Sequence, residues 1–367
     1  MALTAFALQQ QSSLGVDTYV LKLSSNCDGT GLAAATSDNT AVLLDVSTGL
    51  NPVRSLAGHT DIVEDLTFFQ ANPACLVSCS RDGTARLWDV RASEAARVFT
   101  VGSQEVYSCS IGRNDTALAC AASEKVHLFD VAAGKRMRVY KDSHTDVVNH
   151  VRFHPVDSTK LLSGAEDNLV VVVDTNKTNE EEAILAVIPN EECVRSFTLV
   201  GPGRDTLCCA STTEDVRIWG LGADDCGAKK AEFIGLRNHP LLMREESMGY
   251  LVEMFYDQFS GQVFLLTGAG SEGDLAMFRV SLTSADPVAT FVLQSPPPVE
   301  NAALQGHSGI VRSALCMPGG VVVTAGEDGF VCAWREQAVT GEQNFVLEPS
   351  EYGPAEGKPQ GVGSTPY

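Results

Sequence analysis

Three side chains in the first quarter of the chain have the types needed for a hydrolytic triad. Ser78 would be the nucleophile, His59 the general base and Asp82 the carboxylate that orients the base. A hydrolase nucleophile lies beside an oxyanion hole, often on a G-x-S-x-G turn, and no such turn surrounds Ser78. Related sets recur at His144, Ser163, Asp167 and at His307, Thr324, Asp328. A catalytic set is needed once, so this repetition favours a structural role, and we expect no catalytic residues and no enzyme.

Metal and cofactor chemistry has little support in the sequence. His150 and His154 lie four apart on a predicted strand and would share a face, but no third ligand accompanies them. The eleven cysteines are an odd number without paired metal-site spacing, which favours free thiols in a reducing compartment. No G-x-x-x-x-G-K-[ST] phosphate loop occurs. We therefore expect no metal, no cofactor and no small-molecule substrate.

Composition restricts the class of protein and of partner. The chain has 367 residues, of which 44% are apolar and 20% charged, so it can bury a large core. Its formal net charge of −20 leaves no basic surface for phosphates, which argues against direct binding of nucleic acid. Without a run of 18 apolar residues or a secretory signal, we expect no membrane association. We expect a cytoplasmic location and leave the nucleus open.

An internal repeat organises the chain. Three strong copies begin GHTDIVEDLTFF at 58, SHTDVVNHVRFHP at 143 and GHSGIVRSALCMP at 306. Each continues through a strand of small residues, an Asp-containing tight turn and a further strand. Weaker copies cover 19–45, 106–130, 193–219 and 250–278. The turns fall near positions 38, 82, 123, 167, 213, 272 and 328, so most steps are close to 44 residues. This period predicts seven units of four strands each.

The Gly58-His59 and Trp88-Asp89 pairs resemble the WD-repeat β-propeller family, and the likeness extends from about Tyr19 to Trp334. The resemblance implies an all-β, seven-bladed propeller whose ring is closed by an N-terminal strand, for which Thr4 to Ser13 is the candidate. We predict a propeller over 1–337 with blades near 14–50, 51–97, 98–140, 141–184, 185–235, 236–300 and 301–337. Longer steps predict inserted loops over 222–249 and 284–304.

The last 30 residues differ in composition from the repeats. Residues 338–367 are acidic and contain glycine and proline, which predicts a mostly solvated C-terminal tail. Phe345, Tyr352 and Tyr367 could instead anchor a partner.

The resemblance also implies a buried relay of hydrogen bonds from Trp to Ser to His to Asp. Two complete sets are His59, Ser78, Asp82, Trp88 and His307, Thr324, Asp328, Trp334. The set of His144, Ser163 and Asp167 has Val173 where tryptophan would stand, so its relay should be shorter. A buried polar network is favourable only when each member is satisfied, which explains why these residue types occur together.

The same resemblance predicts which rim residues bind partners. They follow the histidine by three and five positions or precede the turn aspartate by one: Ile62, Glu64, Arg81, Val147, Asn149, Glu166, Ile310, Arg312 and Glu327. Their mixed charge suits a protein or peptide ligand. We therefore predict a non-catalytic scaffold or adaptor that binds other proteins in a multi-protein assembly, with the propeller itself monomeric.

A single local motif supports an alternative. Trp88-Asp89-Val90-Arg91 resembles the W-D-x-R box of propellers that dock as substrate receptors on cullin-based ubiquitin ligases. In that reading Arg91 makes the docking contact. The motif occurs in one copy, and Arg91 could instead pair with Asp89.

Overall fold

The structure, a computed structural model, describes residues 4–15, 17–238, 249–257, 261–269, 273–281, 288–294, 306–338 and 346–347. These residues form β-strands connected by turns, with one helical turn α1 (Glu180–Ala183) and one 3₁₀ turn (Leu236–Asn238). The strands group into seven antiparallel sheets arranged as a propeller. The predicted all-β, seven-bladed fold is confirmed.

The first strand, β1 (Thr4–Ser13), joins the last blade, and blades 1 to 3 follow it in the chain. Blade 1 comprises β2 (Val20–Ser25), β3 (Gly31–Thr36), β4 (Ala41–Asp45) and β5 (Asn51–Leu56). Blade 2 comprises β6 (Val63–Phe68), β7 (Cys75–Ser80), β8 (Thr84–Asp89) and β9 (Ala95–Thr100). Blade 3 comprises β10 (Val106–Gly112), β11 (Ala117–Ala122), β12 (Lys125–Asp130) and β13 (Lys135–Tyr140).

Blades 4 to 7 complete the ring. Blade 4 comprises β14 (Val148–Phe153), β15 (Lys160–Ala165), β16 (Leu169–Asp174) and β17 (Ile184–Pro189). Blade 5 comprises β18 (Val194–Val200), β19 (Thr206–Ser211), β20 (Val216–Gly220) and β21 (Lys229–Phe233). Blade 6 comprises β22 (Gly249–Asp257), β23 (Gln262–Ala269), β24 (Asp274–Ser281), β25 (Val288–Gln294) and β29 (Val346–Leu347). Blade 7 comprises β26 (Val311–Met317), β27 (Val321–Gly326), β28 (Phe330–Ala338) and β1.

The hydrophobic core lies between the blades. The described residues form seven apolar clusters, and each combines side chains from two neighbouring blades, including one that joins blade 7 to blade 1. The second strand of each blade carries small residues, as in the run Ala33 to Ala35, which is fully buried. Both faces of these strands pack against neighbouring blades, so their side chains are mostly apolar and buried.

The N-terminal strand closes the ring. β1 pairs with β28 from Thr4 opposite Ala338 to Ser13 opposite Phe330, and a bulge interrupts the register between Leu8 and Gln10. The predicted closing role of this segment is confirmed. Without β1, the outer edge of β28 would lack its hydrogen-bonding partner.

The fourth strand of several blades lies beyond the predicted end of its repeat unit or inside a segment predicted to be an inserted loop. β5 pairs with β4, although the predicted first unit ends at residue 50, and β17 pairs with β16, although the predicted fourth unit ends at 184. β21 and β25 lie within the two segments predicted to be inserted loops. These strands are the outermost of their blades, and the burial pattern of β5, with four of its six residues exposed, shows why apolar alternation does not mark them.

The C-terminal region also departs from the prediction. Residues 346 and 347, expected within a solvated tail, form β29, which extends the edge of blade 6 by pairing with Ala289 and Thr290 of β25. Phe345, Tyr352 and Tyr367 lie outside the described residues, as do the parts of the two predicted insertions over 239–248, 284–287 and 295–304.

Candidate functional site

The relay residues of blade 2 lie within hydrogen-bond distance of one another. Trp88 Nε1 donates to Ser78 Oγ over 2.8 Å, and Ser78 Oγ lies 2.7 Å from His59 Nε2. His59 Nδ1 lies 2.8 Å from Asp82 Oδ2. A tautomer with the proton on Nδ1 satisfies all four groups, because the serine then accepts from tryptophan and donates to histidine.

The relay residues of blades 7 and 4 have the same geometry, except that blade 4 lacks the tryptophan, as expected. In blade 7, Trp334 Nε1 donates to Thr324 Oγ1 over 2.7 Å, and His307 bridges Thr324 and Asp328 at 2.8 and 3.0 Å. In blade 4, His144 bridges Ser163 and Asp167 at 2.8 and 3.0 Å. Val173 has no donor to offer Ser163, so this relay has three members.

The environment of the relay suits a structural tie. Ser78 is fully buried and therefore has no access to a substrate. Burial lowers the pKa of His59 and of His144, although the neighbouring aspartates act in the opposite direction. Burial alone would raise the pKa of Asp82, but hydrogen bonds from Thr84 and His59 outweigh it, and the pKa is lowered. A neutral histidine beside a charged aspartate results.

Asp82 also holds two backbone segments together. Its carboxylate accepts from the backbone N–H of Thr60 over 3.1 Å and of Thr84 over 2.9 Å. The loop before β6 is thereby attached to the turn between β7 and β8. Repeated in blades 4 and 7 through Thr145 and Ser308, this tie orders the loops on one face of the ring.

A second group of residues surrounds the central channel on that face. Every innermost strand has a β-bulge near its start, for example between Val63 and Asp65 in β6. A bulge turns one side chain away from the regular alternation. The bulged residues all line one cavity of about 510 Å³, and we call them the mouth ring: Leu21, Glu64, Tyr107, Asn149, Arg195, Val252 and Arg312.

Ion pairs hold the charged side chains in and beside the mouth ring in place. Glu64 accepts from Arg81, and Arg312 Nε donates to Glu327 over 2.7 Å. The hydrogen bond to Glu64 raises the pKa of Arg81. Lys22 of blade 1 and Glu253 of blade 6 form an ion pair at 3.5 Å. The cavity therefore presents both signs of charge.

The structure places the nine predicted rim residues as three equivalent groups. Glu64, Asn149, Ile310 and Arg312 line the cavity itself. Arg81, Glu166 and Glu327 lie next to it and contact Glu64, Asn149 and Arg312 respectively. Ile62 and Val147 anchor the adjoining turns, because their carbonyls accept the backbone N–H groups of Arg81 and Glu166.

Arg91 lies away from the mouth ring. It follows the end of β8 that is remote from the Asp82 turn, and six strand residues span about 20 Å. Its guanidinium pairs with Asp89, donating from Nε over 2.8 Å and from Nη2 over 2.6 Å. These hydrogen bonds lower the pKa of Asp89 to about 2. The side chain of Arg91 is 77% exposed.

The residues weighed for metal binding make other contacts. The ring of His150 packs against Phe197 with centroids 4.7 Å apart, and His154 Nε2 lies 3.0 Å from the carbonyl of Arg204. No group of three metal-type ligands occurs among the described residues, and all eleven cysteines are free thiols. Nor does the described part of the chain contain a helix long and apolar enough to cross a membrane.

Sequence reasoning missed two buried polar groups. Asn190 is fully buried and its Oδ1 accepts from Trp219 Nε1 over 3.1 Å. It precedes Trp219 by 29 positions, as His59 precedes Trp88, and this spacing was a usable signal. Asp65, 2% exposed, accepts from Ser108 Oγ in blade 3 over 2.8 Å and so links two innermost strands.

The repeated buried ties, the seven blades and the ring closure define a β-propeller of the WD-repeat class. Independent comparisons agree, since the family model described as "WD domain, G-beta repeat" matches residues 50–89 and 134–174. The WD repeat-containing protein 89 homolog of Dictyostelium discoideum is 30% identical over 70% of this chain and 69% of its own length. The chain belongs to the WD-repeat family.

Two further relatives show how far this similarity extends. The WD repeat-containing protein GTS1 of Arabidopsis thaliana is 29% identical over 93% of this chain and 87% of its own length. A guanine nucleotide-binding protein subunit beta of Solanum tuberosum is 28% identical over 53% and 54%. WD-repeat propellers are generally non-catalytic, and these relatives fit a protein-interaction scaffold.

Proposed function

We propose that this protein is a non-catalytic scaffold whose mouth ring binds a segment of a partner protein in a larger assembly. The observation that carries the proposal is the convergence of seven bulged residues, one from each blade, on the lining of one cavity. A cavity of about 510 Å³ has the size of an ordinary ligand site, and here it is open to an entering side chain or loop.

The chemistry of the ring favours a peptide over a small apolar ligand. Tyr107 and Arg195 are residue types that often anchor interfaces, and both are partly exposed in the ring. Glu214 lines the same cavity, and its buried Oε2 has no hydrogen-bond partner within the described residues. A donor from a partner would satisfy this acceptor.

Affinity purification with mass spectrometry from cells tests the proposal. We expect a stable set of co-purifying proteins with the wild type that is lost with the double variant Tyr107→Ala, Arg312→Ala. Arg97→Ala, on the outer strand β9, is the matched control and should retain the set. Retention of the same set by all three proteins would refute the mouth ring as the binding surface. Thermal unfolding of each variant verifies its fold.

The ubiquitin-ligase alternative is tested in the same experiment. Its support is the exposed guanidinium of Arg91 within the W-D-V-R motif. Peptides from a cullin and from the ligase subunit that joins substrate receptors to it, if they disappear only with Arg91→Ala, would favour this alternative. A set of partners that is unchanged by Arg91→Ala would favour the scaffold. We propose a cytoplasmic or nuclear location, which imaging of the tagged full-length protein would check.

A further inference from the structure

The outermost strands of the blades differ in how they protect their free edges. Unpaired edge strands tend to associate with other strands, and charged residues normally oppose this. β5, β9, β13 and β21 each contain at least one lysine or arginine, such as Arg54 and Arg97. β1 has no charge, but three consecutive glutamines occupy its centre.

Two outermost strands have neither charges nor such a polar run. β25, with the sequence VATFVLQ, is covered because β29 of the same chain pairs with it. β17, with the sequence ILAVIP, is the last strand of its sheet within the described part of the chain. At blade 6, therefore, the uncharged outer strand β25 pairs with a further antiparallel strand.

The side chains of β17 are consistent with an interaction surface. Leu185 and Val187 are 50% and 49% exposed, and Leu185 is the residue left unpaired by the bulge at which Ala186 pairs with Val172 and Ile184 with Val173. Exposed apolar side chains occur on other outer strands as well, but there they stand beside arginines, as Val98 stands beside Arg97. Ile188, fully buried, holds β17 against the core of the blade interface.

Charge next to β17 indicates the chemistry of its occupant. Glu181 and Glu182 of α1 immediately precede the strand and are exposed, while Glu180 is engaged by the backbone N–H groups of Lys141 and Asp142. Two exposed lysines are close to α1, since Lys177 precedes it in the chain and the backbone of Lys141 contacts Glu180. With a net charge of −20, a second copy of this chain would be repelled at this edge, whereas a basic segment would be attracted.

We propose that the edge of β17 binds an extended, basic segment of a partner protein as an added antiparallel strand. Main-chain hydrogen bonds would supply affinity, Leu185 and Val187 would contact alternate apolar side chains, and lysines or arginines at the C-terminal end of the segment would meet Glu181 and Glu182. This surface is separate from the mouth ring and does not depend on the function proposed for it.

A peptide titration with the full-length protein tests the proposal. The probe is a fluorescent peptide about eight residues long, alternating threonine and valine and ending in two lysines, followed by anisotropy. We expect saturable binding that weakens by about tenfold or more in the double variant Leu185→Lys, Val187→Lys, which gives β17 the charges of the other outer strands. Val98→Lys on β9 is the matched control and should bind as the wild type does.

Two further probes separate strand addition from other modes of association. A peptide with N-methylated alternate amides should fail to bind, because it cannot form the main-chain hydrogen bonds. Glu181→Gln with Glu182→Gln should weaken binding and its salt dependence. Absence of binding by the wild type, or equal binding by wild type and the double lysine variant, would overturn the proposal. So would a wild-type dimer in sedimentation that the double variant abolishes, since the occupant would then be a second copy.

Discussion

Blades 2 and 5 solve the same packing problem with different polar groups. Each places a tryptophan, Trp88 or Trp219, against the preceding blade, and each must satisfy the buried indole N–H. In blade 2 the N–H reaches Asp82 through Ser78 and His59.

In blade 5, Cys209 stands in the register position of Ser78, opposite Arg217 as Ser78 is opposite Arg86. Asn190, in the position of the histidine, accepts directly from Trp219. A four-member relay in one blade is replaced by a two-member contact in the other. In both blades the buried indole N–H is satisfied, and only the identity of its acceptor differs.

The largest expected effect follows from removing the centre of the relay. Ser78→Ala leaves Trp88 Nε1 and His59 Nε2 without their shared partner, so we expect a loss of about 3 kcal/mol in the free energy of unfolding. Cys209→Ala in blade 5 removes one sulfur from a position that makes no relay bond and should cost about 1 kcal/mol. Urea unfolding measures both, and equal losses would contradict the comparison.

The substitute contact in blade 5 should be weaker than the relay but still measurable. Asn190 accepts from Trp219 and donates from Nδ2 to the carbonyl of Glu192 over 3.1 Å. Asn190→Ala should therefore cost about 2 kcal/mol, because two buried polar groups lose a partner. A double-mutant cycle with Trp219→Phe isolates the indole contact, and an additive result would show that Asn190 does not replace the relay.

Lowering the pH should destabilise the blades that contain buried histidines more than blade 5, which contains none. Burial, with Arg136 and Lys125 acting in the same direction, lowers the pKa of His127 in blade 3 to about 4. The unfolded chain then binds more protons than the folded chain between about pH 6.5 and pH 4, so stability falls as the pH falls through this window. At pH 5 the cost from His127 should be about 2 kcal/mol.

His127→Leu tests this expectation. The variant should lose less stability than the wild type between pH 7 and pH 5 in thermal unfolding. The lowered pKa values of His59 and His144 act in the same direction. Hydrogen exchange at the two pH values should show loss of protection in blades 2, 3 and 4 before blade 5, and uniform loss would contradict the assignment.

The smallest effect is expected in the shortened relay of blade 4. Ser163 contacts His144 but has no tryptophan donor, because Val173 occupies that position. Ser163→Ala should cost about 1 kcal/mol, less than Ser78→Ala, since a single partner is lost. Equal urea unfolding losses for the two variants would show that the tryptophan bond adds nothing to the relay.

Much of this architecture was predictable because the repeat is marked by short local patterns of residue types. Histidine, then serine or threonine, then aspartate recur in the same order, and the structure places them at 2.7 to 3.2 Å from their partners in three blades. The closing segment Thr4 to Ser13 was also identified, with the same limits that β1 has. The fourth strands were not, because outer strands bury little and their composition resembles that of loops.

The sequence by itself predicted the seven repeats, their period and the polar ties of blades 2, 4 and 7, because these depend on contacts between residues less than about 45 positions apart. Tertiary structure alone decided that one residue from every blade lines the same cavity, since the bulges of seven distant strands bring these residues together only when the ring closes. It also decided which outer edges are covered. β29 reaches β25 across more than 50 residues, and no local pattern indicates that β17 is the last strand of its sheet in the described part of the chain.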